Sequence, residues 1–233
     1  MRILTASVLL VTLAIPVPAA AQWKETETID RTVYIGQNGR LKLNNFSGDI
    51  RIVGTSGNDV VIRAVRRATR QRLDNIRLEI EVSGTNLSIE SNRRVPGWRE
   101  QNDNVVETSF DIQVPHGTEL DIHSFSGKVD IRGVTGQIQA ETFSGDIELD
   151  VAAAPQLPAV TAGTFSGDIR ARVPAHASGR VRFDSFSGSI RSDLPISMTK
   201  FGGRRADIDA EIGTGQGPTI RFKTFSGDLR IVK

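Results

Sequence analysis

The chain has 233 residues, 29 Lys and Arg against 27 Asp and Glu, a formal net charge of +2 and no cysteine. The near-balance of charge argues against nucleic acid as a partner. Without cysteine, disulfides and thiolate metal sites are excluded, so stability must come from packing.

The chain opens with Met1-Arg2, an apolar run from Ile3 to Val17, and then Pro18-Ala19-Ala20-Ala21. That layout is a secretory signal peptide over residues 1–21, cleaved before Gln22. The run is interrupted by Pro16 and falls short of the roughly 20 residues that span a bilayer. The expectation is export, with no membrane span after cleavage and a periplasmic, secreted or cell-surface location. Residues 22–233 are of a length that an all-β chain commonly folds as a single domain.

Phe-Ser-Gly recurs six times, starting at Phe46, Phe125, Phe143, Phe165, Phe186 and Phe225, at intervals of 79, 18, 22, 21 and 39 residues. The intervals suggest a unit of about twenty residues with degenerate copies in the two long gaps, the signature of stacked repeats. Apolar residues alternate before each clear copy, as at Leu41 and Leu43, Leu120 and Ile122, or Ile220 and Phe222. They alternate again after it, as at Ile50 and Ile52 or Ile147 and Leu149. Period two means strand, so the unit reads strand, corner, strand.

Phe follows a small polar residue and is out of phase with the apolar positions. The expectation is therefore a bend at which Phe turns into the interior and Gly supplies the unusual backbone. The structural corners are Phe46 and Gly48, Phe125 and Gly127, Phe143 and Gly145, Phe165 and Gly167, Phe186 and Gly188, and Phe225 and Gly227. The fold class is all-β, a β-solenoid or β-helix-like stack of repeats of about twenty residues, with a β-sandwich as the alternative. The pattern breaks from Arg63 to Asn104, which reads as a loop or insertion around 63–104. A short helix or loop at Arg66 to Leu73 and a strand through Ile76, Leu78, Ile80 and Val82 are expected within it.

Repeated Phe-Ser-Gly-Asp-Ile units behind a signal peptide, such as Thr142-Phe143-Ser144-Gly145-Asp146-Ile147, resemble the bacterial putative-adhesin family, an exported β-repeat domain of unknown function. The likeness covers roughly residues 30–233. It implies a solenoid-like fold and an envelope or surface role, and some relatives look like parts of envelope-stress regulators. The family offers no catalytic residues. Two copies depart from the pattern, with Lys128 and Ser189 where the others have Asp.

Asp49, Asp146, Asp168 and Asp228 are spaced too widely for a calcium-binding nonapeptide roll and read as turn formers. His116, His123 and His176 are too scattered for a metal set. The serines lack a Gly-x-Ser-x-Gly elbow, and Gly213 to Gly217 lacks the ending of a phosphate loop. No cofactor, metal or catalytic residue is expected. The candidate site is basic: Arg63, Arg66, Arg67, Arg70 and Arg72 are suited to an anionic polymer, with Trp98 able to stack on a sugar. A charged edge strand accounts for the same residues.

The sequence thus points to a non-catalytic, adhesin-like binding or structural module of the bacterial cell envelope, whose partner is an envelope polymer or a surface or envelope protein. An envelope-stress regulatory module that binds another protein and a polysaccharide-acting β-helix enzyme are the alternatives. Partner identity and oligomeric state are not legible.

Overall fold

A computed structural model describes residues 24–98, 105–201 and 206–233. The signal-peptide stretch 1–21 and residues 99–104 of the expected loop lie outside them. The first half of the chain contains β1 (Glu25–Tyr34), β2 (Arg40–Ser47), β3 (Ile50–Thr55), β4 (Asp59–Ala68), a short helix α1 (Arg70–Asn75), β5 (Ile76–Ser83), β6 (Asn86–Arg94) and β7 (Glu107–Pro115). Strand pairs follow: β8 (Glu119–Ser126) with β9 (Val129–Arg132), β10 (Ile138–Ser144) with β11 (Ile147–Asp150), β12 (Val160–Ser166) with β13 (Ile169–Arg172), and β14 (Gly179–Ser187) with β15 (Ile190–Ser192). The chain then runs through β16 (Ile196–Phe201) and β17 (Ala206–Ile212) to a last pair, β18 (Thr219–Ser226) and β19 (Leu229–Val232). No helix among the described residues is long and apolar enough to cross a membrane.

The strands form a nine-stranded sheet, ordered β1-β4-β7-β3-β9-β11-β13-β19-β15, and a ten-stranded sheet, ordered β16-β17-β14-β18-β12-β10-β8-β2-β6-β5. Each Phe-Ser-Gly corner hands the chain from the larger sheet to the smaller, so every rung contributes one strand to each. Neighbouring rungs are parallel and in register, with Ile138 opposite Leu120 on one side and Val160 on the other. This is the solenoid-like stack the repeat calls for. The rung order departs from chain order at two places: β2 and β3 lie between β6/β7 and β8/β9, and β18 and β19 insert between β12/β13 and β14/β15.

The core lies between the sheets and is made by the inward residues of each rung, such as Ile138, Ala140, Ile147 and Leu149, all buried. Each buried Ile or Leu contributes about 1.5–3 kcal/mol. Phe183 and Phe222, side by side in register, are the largest fully buried side chains.

The phenylalanines of the tripeptide do not turn inward. Alternation continues unbroken through β10, so Thr142 takes the inward position and Phe143 the outward one. The residues before the other five phenylalanines, Asn45, Ser124, Thr164, Ser185 and Thr224, are likewise buried, while all six phenylalanines remain exposed. At some corners the inward polar side chain also bonds the turn. Thr164 Oγ1 donates to the Gly145 carbonyl of the neighbouring rung at 3.0 Å, and Asn45 Nδ2 donates to the carbonyls of Gly48 and Thr108 at 3.0 Å. A phenyl ring could satisfy neither. The hydroxyls of Ser124, Thr142 and Ser185 make no such bond.

The direction of the chain changes at the glycine. Gly145 has φ 148°, and a Cβ placed there would lie 2.1 Å from the Gly127 carbonyl oxygen of the next rung. Gly188, whose φ is ordinary, is constrained by approach alone, with a Cβ falling 2.0 Å from the Gly227 oxygen. Because neighbouring corners come this close, the parallel hydrogen bonding runs around them. Gly145 N donates to Ser166 O at 3.0 Å and Ile147 N to Asp168 O at 2.9 Å.

The intervening amide is served by the aspartate. Asp146 Oδ1 accepts from Asp168 N at 2.9 Å, Asp168 Oδ1 from Asp228 N at 2.8 Å, and Asp228 Oδ1 from Ser189 N at 2.8 Å. The Ser189 amide and hydroxyl hold the Asp228 carboxyl below its ordinary value. Lys128 interrupts this column. Its ammonium pairs with Glu148 at 2.9 Å, which draws that carboxylate away from its register neighbour Arg170.

The region 63–104 is mostly sheet rather than loop. β6 and β7 form a rung without the tripeptide, parallel to β2 and β3. β4, α1 and β5 form a rung of reversed direction, antiparallel to β7 and β6, and β1 covers the outer edge of β4. The 79-residue interval therefore holds two rungs, one of them reversed, instead of the degenerate copies that the spacing suggests. Substituting Gly145→Ala is expected to cost more than about 2 kcal/mol, since backbone strain adds to a carbonyl overlap that cannot relax without parting two rungs. Chemical denaturation of the variant checks this.

Candidate functional site

Because the rungs are in register, each outward position forms a column on the surface. The phenylalanine column is continuous. Ring centroids are 4.8 Å apart from Phe46 to Phe125, then 5.0 Å to Phe143, 4.9 Å to Phe165, 4.7 Å to Phe225 and 4.8 Å to Phe186. From Phe125 onward, neighbouring planes are within 7° of parallel. Isolated aromatic pairs favour offset or edge-to-face contacts, and here the strand spacing imposes the stack. The rings are 39% exposed at Phe46 and 55% at Phe186. Their faces cover one another, so the ladder presents a strip of ring edges.

Two residues before each phenylalanine runs a second outward column: Asn44, His123, Glu141, Gly163, Lys223 and Asp184, in spatial order. At one end its charges are closed off. Asp121, in the neighbouring column, accepts from Arg40 at 2.9 Å and from His123 at 2.8 Å. Burial pushes the Asp121 carboxyl up, but those two bonds outweigh it and hold the group below its ordinary value. His123 Nδ1 lies 3.5 Å from Glu141.

At the other end the column opens at Gly163. There a groove of about 840 Å³ lies on the outer face of the ten-stranded sheet, lined by Phe165, Phe186 and Phe225 on one side and by Arg221, Lys223, Glu141, Asp184 and Asp207 around the rest. Gly163 is inside β12, its φ is not in the left-handed region, and a Cβ would meet only the Lys223 oxygen at 3.7 Å and Glu141 Cγ at 3.9 Å. These are ordinary contacts, so the backbone does not require glycine here.

The basic residues singled out in the sequence do not assemble into one free patch. Arg63 stands between Asp30 and Asp111 in register. Arg66 is in the inward phase of β4 and buried, donating to Glu27 Oε2 and the Ile76 carbonyl. Arg67 is 3.5 Å from Glu107, and Arg70 pairs with Asp74 and lies 3.7 Å from Glu25. Arg72 is half-buried, and Trp98 packs against Ala68, Leu73, Ile76 and Val106. Acidic residues from β1 and β7 thus offset the charge that the segment shows along the chain.

The scattered histidines have local roles. His116 Nδ1 is 2.6 Å from the Gly133 carbonyl, and His123 lies between Asp121 and Glu141. No group of three or more side chains placed to hold a metal is found among the described residues. The arrangement places a continuous strip of apolar ring edges beside a charged groove on one face.

Glycine inside a strand is less stable than alanine by about 0.5–1 kcal/mol. Gly163→Ala is therefore expected to raise stability by that amount, the opposite sign to the corner glycines, in a thermal or denaturant melt.

Comparisons with known proteins agree with this architecture. A crystal structure of a putative cell adhesion protein from Clostridium sporogenes is similar at a TM-score of 0.63 and 12% identity, covering 88% of this chain and 99% of that one. A putative adhesin from Bacteroides fragilis covers 88% of this chain and 97% of its own at 12% identity, with a TM-score of 0.38. No curated protein matches the sequence. The model of the Toastrack DUF4097 family matches residues 101–232, which contain five of the six corners, and the chain belongs to that family.

Proposed function

We propose that the chain is an exported, non-catalytic binding module of the bacterial envelope that holds its partner, an envelope polymer or envelope protein, against the phenylalanine ladder. The observation that carries this reading is the exposure of six contiguous stacked rings. Contiguous apolar surface of this kind marks interaction sites in soluble proteins, and covering it gains about 25 cal/mol for each Å² removed from water. The corners could be built without it, because backbone carbonyls and the aspartates supply the hydrogen bonds and the glycine supplies the turn. The adhesin-like part of the reading draws on the name of the Clostridium sporogenes relative and is an analogy at the level of fold. Export draws on the first 21 residues.

The full chain, produced with its N-terminal segment, is expected in the envelope or outside the cell and should co-sediment with isolated envelopes. Changing Phe46 and Phe125 to Ser should reduce that retention roughly tenfold, with the circular dichroism spectrum unchanged. Cytoplasmic accumulation of the unaltered chain, or equal retention of the double variant, would overturn the proposal.

A further inference from the structure

Five of the six rungs carry a side chain two residues before the phenylalanine, and Gly163 does not. Its backbone is ordinary and a Cβ would fit, so what the glycine provides is the opening itself. The groove above it has a volume within the range of small-molecule sites, about 300–1,000 Å³. One wall is the apolar edge of Phe165, Phe225 and Phe186, continuous with the ladder.

The opening is lined by charges of both signs, Arg221 and Lys223 with Glu141, Asp184 and Asp207. Among the described residues, Arg221 and Lys223 have no ion-pair partner within 4.0 Å. Glu141 faces His123, and Asp207 lies in the field of Arg182. Asp184 is the register neighbour of Lys223. Arg221 and Lys223 therefore stand side by side without an ion-pair partner, next to the apolar wall.

We propose that the opening over Gly163 binds an amphipathic anion, whose aliphatic or aromatic body lies against the edges of Phe165, Phe225 and Phe186 while its carboxylate or phosphate is held by Arg221 and Lys223. This rests on the ladder being a binding surface and names the class of ligand taken at one end of it. An ammonium and a guanidinium two residues apart on β18 project from the same face of the sheet, so one anionic group can bond to both. Charge-assisted bonds of that kind are the strong ones. The aliphatic body gains by leaving water along the ring edges, for which no face-to-face contact is needed.

Calorimetric titration of the full chain with dodecanoate, below its micelle concentration, tests the assignment. Saturable one-to-one binding is expected, with dodecyltrimethylammonium binding at least tenfold more weakly. Gly163→Leu should fill the opening and abolish binding while leaving the melting temperature unchanged or higher. Lys223→Ser should weaken binding roughly tenfold, which corresponds to about 1.4 kcal/mol.

Equal affinity for the cationic chain, or unaltered binding by Gly163→Leu, would overturn the assignment. Binding to phosphatidylglycerol vesicles without binding to dodecanoate would also overturn it, since the ligand would then be a bilayer surface. The Phe46 and Phe125 double variant lies at the far end of the ladder and should bind dodecanoate normally. Failure of the groove is therefore distinguishable from failure of the ladder.

Discussion

The stack depends on how closely the corners approach one another. Where Gly145 passes Gly127, a single additional carbon would sit 2.1 Å from a carbonyl oxygen. Removing that carbon lets parallel hydrogen bonding continue through the turn, with the Gly127 and Val129 amides bonded to the Ser144 and Asp146 carbonyls of the Gly145 rung. The two sheets are therefore joined rung by rung by backbone. Once each corner is locked to its neighbour, register along both strands has no freedom left, because a one-residue slip would move every inward side chain to the outside.

From that register follow the columns. The inward residue before Phe is small and polar, and at Asn45 and Thr164 it serves corner carbonyls, while the aspartate after Gly serves the amide that the turn leaves without a backbone partner. Phe, in the outward phase of the alternation, has only the outer face, where strand spacing stacks it. The column rules are broken at particular rungs, and the reasons differ. Lys128 takes the aspartate position and turns to Glu148. Ser189 lies on the outermost rung of its sheet, where β15 is an edge and no further corner needs an acceptor. Gly163 is different, because nothing in the scaffold needs it, and it coincides with the groove.

Much of this was legible in the sequence. The tripeptide spacing and the alternation around it specify a stack of rungs with glycine corners, and the stack is what forms. The orientation of the phenylalanines was misread because an apolar residue adjoining a polar one was assigned to the core. The alternation already sets Phe out of phase; what differs is the bend, which falls at the glycine and not at Phe, so Thr142 stays inside and Phe143 outside. The neighbours of the basic segment are not legible along the chain: the partners of Arg66, Arg67 and Arg70 include Glu27, Glu107 and Glu25, which strand pairing alone brings near. The insertion of the last rung between two earlier ones leaves no local trace, since every corner has the same sequence and any two can be neighbours. Gly163 could have been found by aligning the six copies on their phenylalanines, but its meaning required the side chains on either side.

The central claim is that the tripeptide phenylalanines stand outside the fold as one ladder. Fluorine NMR of the chain labelled with fluorophenylalanine, recorded with a soluble paramagnetic agent, tests it directly. The account predicts that the resonances of Phe46, Phe125, Phe143, Phe165, Phe186 and Phe225 broaden together, while those of Phe110, Phe183 and Phe222, which are buried, stay sharp. Protection of the six tripeptide rings to the same degree as Phe183 and Phe222 would contradict it.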